Sequence, residues 1–360
     1  MAKKKIAIVC TGAVGGYAGA HMVKAGEDVT FIDFWPEHVE KMKRDGLTIT
    51  HLRDVEPFTV PVRALHVTEL QQLSKEKPFD IAFICTKSYD TAWATAMIKQ
   101  YVADDGYFVS LQNCMNEETI AGIVGWGKTL GSIASSITVG LNEPGLIARA
   151  AGKSGDRHTV FRAGEVHGRH TDRAKEVRDL LANADSAMVT ENLWGERWSK
   201  LVTNVMGNGL SACTGMITRD MVKNDAIRHF SNRLGSEAIR VGQALGYTFD
   251  EVSHMDPELI GEVAGWLREH DDRPAGPPFI RYLVIDMANE LDIEVGFPVP
   301  DARRGDGRVS AGTLPAGLSP PPGRLASARR CSSISLCAAG SPSPAWARVS
   351  GSIWLTSSKV

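Results

Sequence analysis

Four short runs of almost uninterrupted apolar residues, 6–9, 29–32, 79–85 and 107–111, are separated by polar and glycine-bearing stretches. Such runs predict strands buried on both faces, as in a parallel sheet covered above and below by helices. Between the first two, residues 17–25 carry helical spacing and stop at Gly26. Residues 131–192 read as short strands and turns with one helix over 172–182, which completes a first domain at 1–192. Beyond it, the apolar period lengthens to that of a helix over 194–214 and 225–245, with Gly246 as a stop, so a second domain at 193–257 is expected to be mainly α-helical.

The first turn carries chemistry. After the run that ends at Val9 come Cys10, Thr11, Gly12, Ala13, Val14, Gly15 and Gly16, and an acid, Asp33, closes the second run. Glycines at these places let the backbone turn sharply and approach a pyrophosphate, which meets the amides and positive dipole of the helix start. Asp33 falls where a carboxylate accepts hydrogen bonds from the adenosine ribose, and it repels a 2′-phosphate, so NAD is favoured over NADP. The order strand, glycines, helix, strand, acid identifies a Rossmann-type, doubly wound α/β sheet, although Cys10 stands where the usual motif has its first glycine. Lys41, Lys43 and Arg44 on the next helix are within reach of a 2′-phosphate or form a solvated face.

Ligands of open α/β sheets bind outside the carboxyl ends of the strands. Lys87 follows the third run and Asn113 the fourth, so both lie where cofactor and substrate would meet, although a lysine at a strand end is as often merely solvated. In the helical region Lys200, Asn204 and Asn208 recur every four residues and share one face, with Trp194, Trp198, Leu201 and Val205 available for packing. A solvated stripe is the alternative, but asparagine is a poor helix former and costly there without a use.

Composition narrows the partners. The chain has 360 residues, 43% hydrophobic and 23% charged, with a net charge of −2, which leaves no electrostatic footprint for nucleic acid or an anionic membrane. Six scattered cysteines show neither metal nor disulfide spacing, so no metal site and a reduced, cytoplasmic setting are expected, and no segment is long enough to span a bilayer. After residue 300 the chain is rich in Ser, Pro, Gly, Ala and Arg, and from Arg303 onward it has one lysine and no glutamate. Such a segment predicts a disordered tail over 301–360 and also matches GC-rich DNA read out of frame.

Together, Gly12-Ala13-Val14-Gly15-Gly16-Tyr17, Glu37-His38 before Asp45-Gly46-Leu47, Thr86-Lys87-Ser88-Tyr89-Asp90, Leu111-Gln112-Asn113 and Trp198-Ser199-Lys200-Leu201-Val202-Thr203-Asn204 with Asn208 resemble the ketopantoate reductase family. His254-Met255-Asp256-Pro257 also fits, so the resemblance covers about 3–257. It implies reduction of a small 2-oxo acid, 2-dehydropantoate above all, by hydride from NAD(P)H, with Lys200 as proton donor. Asn113, Asn204 and Asn208 would bind substrate, and Asn113 and Lys87 would also touch the cofactor. Helical domains of such reductases often pair, so a homodimer is an expectation of the resemblance alone.

Two features depart from the family. Its NADP-preferring members commonly place an arginine just after the second strand, where this chain has Phe34-Trp35-Pro36. The family's closing Ser and Glu segment has only a faint echo in Glu290-Leu291-Asp292, and residues 258–300 look more like half of a GyrI-like effector-binding module. Two further readings therefore stand beside the enzyme: a catalytically impaired dinucleotide- and small-molecule-binding sensor, and a nonfunctional chimera. Retention of Lys200 with both asparagines favours the enzyme, since a sensor needs no proton donor.

Overall fold

The computed structural model describes residues 3–51, 56–150, 152–154, 158–221 and 223–250, together with the backbone of strands within 279–353. The chain opens with β1 (Lys5–Val9), α1 (Ala13–Lys24), β2 (Asp28–Asp33) and α2 (Pro36–Asp45). Short strands β3 (Leu47–His51), β4 (Phe58–Val60) and β5 (Arg63–His66) precede a 3-10 segment at Val67–Lys75. Next come β6 (Phe79–Ile84), α3 (Thr91–Ile98), β7 (Val102–Ser110), α4 (Glu117–Val124) and β8 (Thr129–Ala134). A hairpin of β9 (Val139–Glu143) and β10 (Leu146–Arg149) leads to β11 (Phe161–Glu165), α5 (Asp172–Ala182) and β12 (Ala187–Thr190). Three helices follow, α6 (Leu193–Thr214), α7 (Thr218–Met221) and α8 (Asp225–Ala244).

The main sheet has the order β12-β11-β8-β7-β6-β1-β2-β5, parallel throughout except between β11 and β8. Chain order reverses at β1, which pairs β2 on one side and β6 on the other, and this is the place where open α/β sheets bind ligands. A smaller sheet, β4-β3-β10-β9, lies beside α1. Alternate residues of β1 enter different cores. Ile6 and Ile8 join Phe31, Phe83 and Val109, whereas Ala7 and Val9 join Ile32, Ala82 and Ile84. Burial of both faces explains why these strands read as continuous apolar runs.

The first helix begins at Ala13, four residues earlier than its apolar spacing indicates. Gly15 and Gly16 read as loop, yet both are helical because the backbone must pass close to its neighbours. A Cβ at Gly15 would stand 2.7 Å from the Cβ of Cys85. Strand β7 likewise begins at Val102, before its apolar run, because Asp104 and Asp105 are exposed where the strand leaves the core.

The described chain divides into two units, one holding residues up to Thr203 and from Ile239 to 250, the other holding Asn204–Ala238 and the later strands. The later strands are β13 (Phe279–Asp286), β14 (Glu290–Gly296), β15 (Pro298–Val299), β16 (Val309–Thr313), β17 (Cys331–Ala338) and β18 (Ala345–Ile353). These strands are ordered β13-β14-β17-β18-β16 in one sheet, with β15 beside β17. His254-Met255-Asp256-Pro257 lies outside the described residues.

Candidate active site

The dinucleotide turn starts where β1 ends. Cys10, at the place of the usual first glycine, has φ 67°, the left-handed region that a side chain disfavours, and its amide donates to the Ile32 carbonyl at 2.8 Å. Gly12 is the N-cap of α1 and supplies no side-chain cap, and the first turn holds no acid. The opening amides of the helix, from Ala13 and Val14 onward, therefore lack an intrahelical acceptor. A Cβ built on Gly12 would meet nothing within 4 Å. An uncapped helix start beside open space fits a dinucleotide pyrophosphate.

Asp33 is only 6% exposed, and both its oxygens are engaged. Oδ2 accepts from the Thr11 amide at 2.6 Å and Oδ1 from the Trp35 amide at 2.9 Å. The carboxylate thus braces the turn from beneath. The basic residues of α2 are also committed: Lys41 pairs with Asp45 at 2.8 Å, Lys43 with Glu69 at 2.7 Å and Arg44 with Asp45 at 3.0 Å. Phe34, at the place of the family's phosphate-binding arginine, is 53% exposed.

At the ends of β6 and β7, Lys87 and Asn113 are exposed, and the loops that carry them are joined by buried amides. The Gln112 side chain donates to the Thr86 carbonyl at 2.9 Å and to the Thr91 hydroxyl at 2.8 Å, while its Oε1 accepts from Ser110. Asn116 donates to the Asn113 carbonyl at 2.7 Å and to the Ser88 hydroxyl at 3.2 Å. Cys114, next to Asn113, repeats the positive φ of Cys10, at 67°.

Arg197, near the start of α6, joins that loop to the helix. Its Nε donates to Glu117 Oε1 at 2.8 Å, Nη1 to the Gln112 carbonyl, and Nη2 to the Ser110 carbonyl at 3.0 Å and again to Glu117. Both partners of the ion pair are buried. Lys200 follows three residues later, about one helical turn on, and is half-buried. Burial lowers its ammonium pKa below the ordinary lysine value, since the charged form loses solvation. Further along the sequence of α6, Asn204 is half-buried and Asn208 exposed.

The structure therefore ties the Lys87 and Asn113 loops together and links the second to the helix that bears Lys200. Gln112, Asn116, Glu117 and Arg197, which supply those links, have no periodic signature. Of these, only Gln112 falls in a stretch that marks the family resemblance, Leu111-Gln112-Asn113. Among the described residues no three His, Cys, Asp or Glu side chains group as a metal site, and no helix is long and apolar enough to cross a membrane.

The sequence model described as "Ketopantoate reductase PanE/ApbA" matches residues 6–160, and that for the C-terminal part of the same family matches residues 192–297. The second match takes in most of the stretch that resembles a GyrI-like module, so the reductase assignment extends through it and the effector-module assignment has no support. A 2-dehydropantoate 2-reductase of Mesorhizobium japonicum is 25% identical over 323 residues, covering 82% of this chain and 94% of that protein. One from Pyrococcus horikoshii is 28% identical over 74% of this chain and 81% of its own length. Among solved structures, 2-dehydropantoate 2-reductase from Geobacter metallireducens aligns with a TM-score of 0.60 at 25% identity, over 75% of this chain and 85% of that one. D-mandelate dehydrogenase in a ternary structure with NADH and anilino(oxo)acetate shares the fold at TM-score 0.60 and 20% identity, over 72% and 79% of the two chains.

Proposed function

The chain belongs to the ketopantoate reductase family, and from that premise we propose that it reduces 2-dehydropantoate, or a close 2-oxo acid, with NADH as the preferred reductant. The reduced nicotinamide, when bound, supplies a hydride to the ketone carbon. The protein must then stabilise and protonate the oxygen. Lys200 is suited to this: a half-buried ammonium with a lowered pKa both attracts the developing alkoxide and gives up its proton more readily than a solvated lysine. The product is the 2-hydroxy acid, and the neutral amine regains its proton from solvent.

Asn113, Asn204 and Asn208 are assigned to the substrate's carboxylate and hydroxyl oxygens, which carboxamides hold without adding charge. Gly12, Ala13, Val14, Gly15 and Gly16 would hold the pyrophosphate, with Lys87 and Asn113 at the rim. The preference for NADH is supported by the exposed Phe34 after β2 and by the ion pairs that occupy Lys41, Lys43 and Arg44. Asp33 would then serve the adenosine ribose only through lone pairs left over from Thr11 and Trp35.

The observation that carries this reading is the guanidinium of Arg197. It fastens the Asn113 loop to the start of the helix that bears Lys200, which supports assigning the proton donor and a substrate-binding amide to one site. The test is loss of nicotinamide absorbance with 2-dehydropantoate present. Wild-type protein should oxidise NADH faster than NADPH, and Lys200→Ala should lower kcat by about 100-fold or more, the usual scale for a general acid. Equal rates for the two proteins would remove Lys200 from the mechanism.

A further inference from the structure

His38 lies on α2 and is completely buried beneath the dinucleotide turn, yet it has no place in the chemistry described above. Its Nδ1 accepts the amide hydrogen of Gly145 at 2.9 Å, and its Nε2 stands 3.0 Å from the Thr11 carbonyl. A backbone amide can only donate, so Nδ1 must present a bare lone pair. The remaining hydrogen is then on Nε2, where the Thr11 carbonyl accepts it. The two partners fix the ring as its neutral Nε2–H tautomer. Trp35 stacks on the ring at 5.6 Å with 27° between planes, which closes one face. Burial also pushes the imidazole pKa down, against an opposing pull from Asp33.

The consequence concerns Thr11, the residue immediately before Gly12. Its amide is held by Asp33 at 2.6 Å and its carbonyl by His38, so side chains from β2 and α2 clasp the flanking peptide groups of this one residue. The following amides are the ones left open toward a phosphate. Through Gly145, the same imidazole ties in the β9–β10 turn, where Gly145 has φ 73° and packs against Lys41.

We propose that His38 is a positioning residue for the cofactor: as a neutral donor–acceptor bridge it holds the dinucleotide turn in its binding geometry before the cofactor arrives. A turn already fixed has less freedom to lose on binding, so the clasp acts on cofactor affinity more than on the chemical step. This rests on the dinucleotide-binding reading, and the experiment separates the two.

NADH is titrated into the full chain by nicotinamide fluorescence, for wild type, His38→Leu and His38→Gln, with urea midpoints measured alongside. Leu leaves a carbonyl and an amide buried without partners, and NADH Kd should rise roughly 10-fold. Gln offers an acceptor and a donor and should recover most of that affinity. With saturating NADH, kcat should fall far less than the KM for NADH rises. A folded His38→Leu protein with unchanged Kd overturns the proposal, even if its urea midpoint drops, because that is the result of a purely structural brace. If the Leu variant does not fold, nitrogen NMR of the wild-type histidines decides: a Nδ1–H or charged ring for His38 near pH 7 overturns the clasp, and a neutral Nε2–H ring supports it. Wild type that binds neither NADH nor NADPH overturns the reductase reading and the clasp together, a result distinct from a wild type that binds and a variant that binds equally.

Discussion

Arg197→Met is the substitution that tests the site's framework most directly. Glu117 is 0% exposed, its Oε1 receives both guanidinium contacts, and its Oε2 has no hydrogen-bond partner. Met removes the cation and puts an apolar side chain in its place. Breaking a buried pair in this way costs about 3–5 kcal/mol, because one charge is left uncompensated. Against a typical total stability of about 5–15 kcal/mol, that is a third or more of the margin. The carbonyls of Ser110 and Gln112 lose donors as well, which makes the upper part of the range the better expectation. Replacing both partners, Arg197→Met with Glu117→Leu, removes the orphaned charge, and apolar substitutes for a buried pair are often neutral, so most of the loss should return. Urea denaturation followed by tryptophan fluorescence reads this out, since Trp194 and Trp198 flank the site on the same helix. The two arms separate stability from function: the double variant should regain its midpoint while kcat stays low, because nothing then holds the Gln112 carbonyl beside the Lys200 turn. A single variant that loses less than about 1 kcal/mol, or a double variant whose losses simply add, would refute the account of the pair.

The remaining expectations concern titration and the cofactor turn. If Lys200 is the proton donor, it must be protonated, so kcat/KM for reduction should fall as pH rises through its lowered pKa; the alkaline limb should come before the ordinary lysine value, and Lys200→Arg should abolish or raise it. A limb that is identical in both proteins would assign it to another group. His21 is 6% exposed, and burial drives its pKa down to about 3 from the ordinary histidine value of about 6.5. Its depressed folded-state pKa gives a stabilising contribution that is complete above about pH 6.5 and is lost as pH falls toward 3, about 2 kcal/mol by pH 5. His21→Phe, which suits a ring packed on Tyr17 and Phe58, should flatten that decline in urea midpoints between pH 7 and 5, and a parallel decline would show that other groups dominate. Asp33→Ala should weaken NADH and NADPH together, because the Thr11 amide loses its anchor; a change confined to the ratio of the two would return Asp33 to reading the ribose.

Much of the nucleotide-binding half is legible in apolar runs, for a definite reason. Strands β1, β2, β6 and β7 are buried on both faces along their shared segment, so nearly every position there is apolar and the run marks the strand. The start of α1 is not legible, because Gly15 and Gly16 signal a turn in the sequence but serve close packing in the helix.

The site divides along a chemical line. The residues proposed to meet ligand, such as Lys200, Asn113 and the glycines, are recognisable by where they fall, at a strand end, on a helix stripe or in a turn. Residues that hold them, Arg197, Glu117, Gln112 and His38, are buried polar groups whose meaning depends entirely on partners far away in the chain. Glu117 and Arg197 are 80 positions apart, and His38 and Gly145 are 107 apart. No local pattern specifies such a pairing, yet burial makes each one costly to leave unmet. The partners of these supporting groups are therefore hidden in the sequence, although the pairings are energetically decisive in the fold. Substituting them should disturb cofactor binding and proton transfer without touching any atom that reacts.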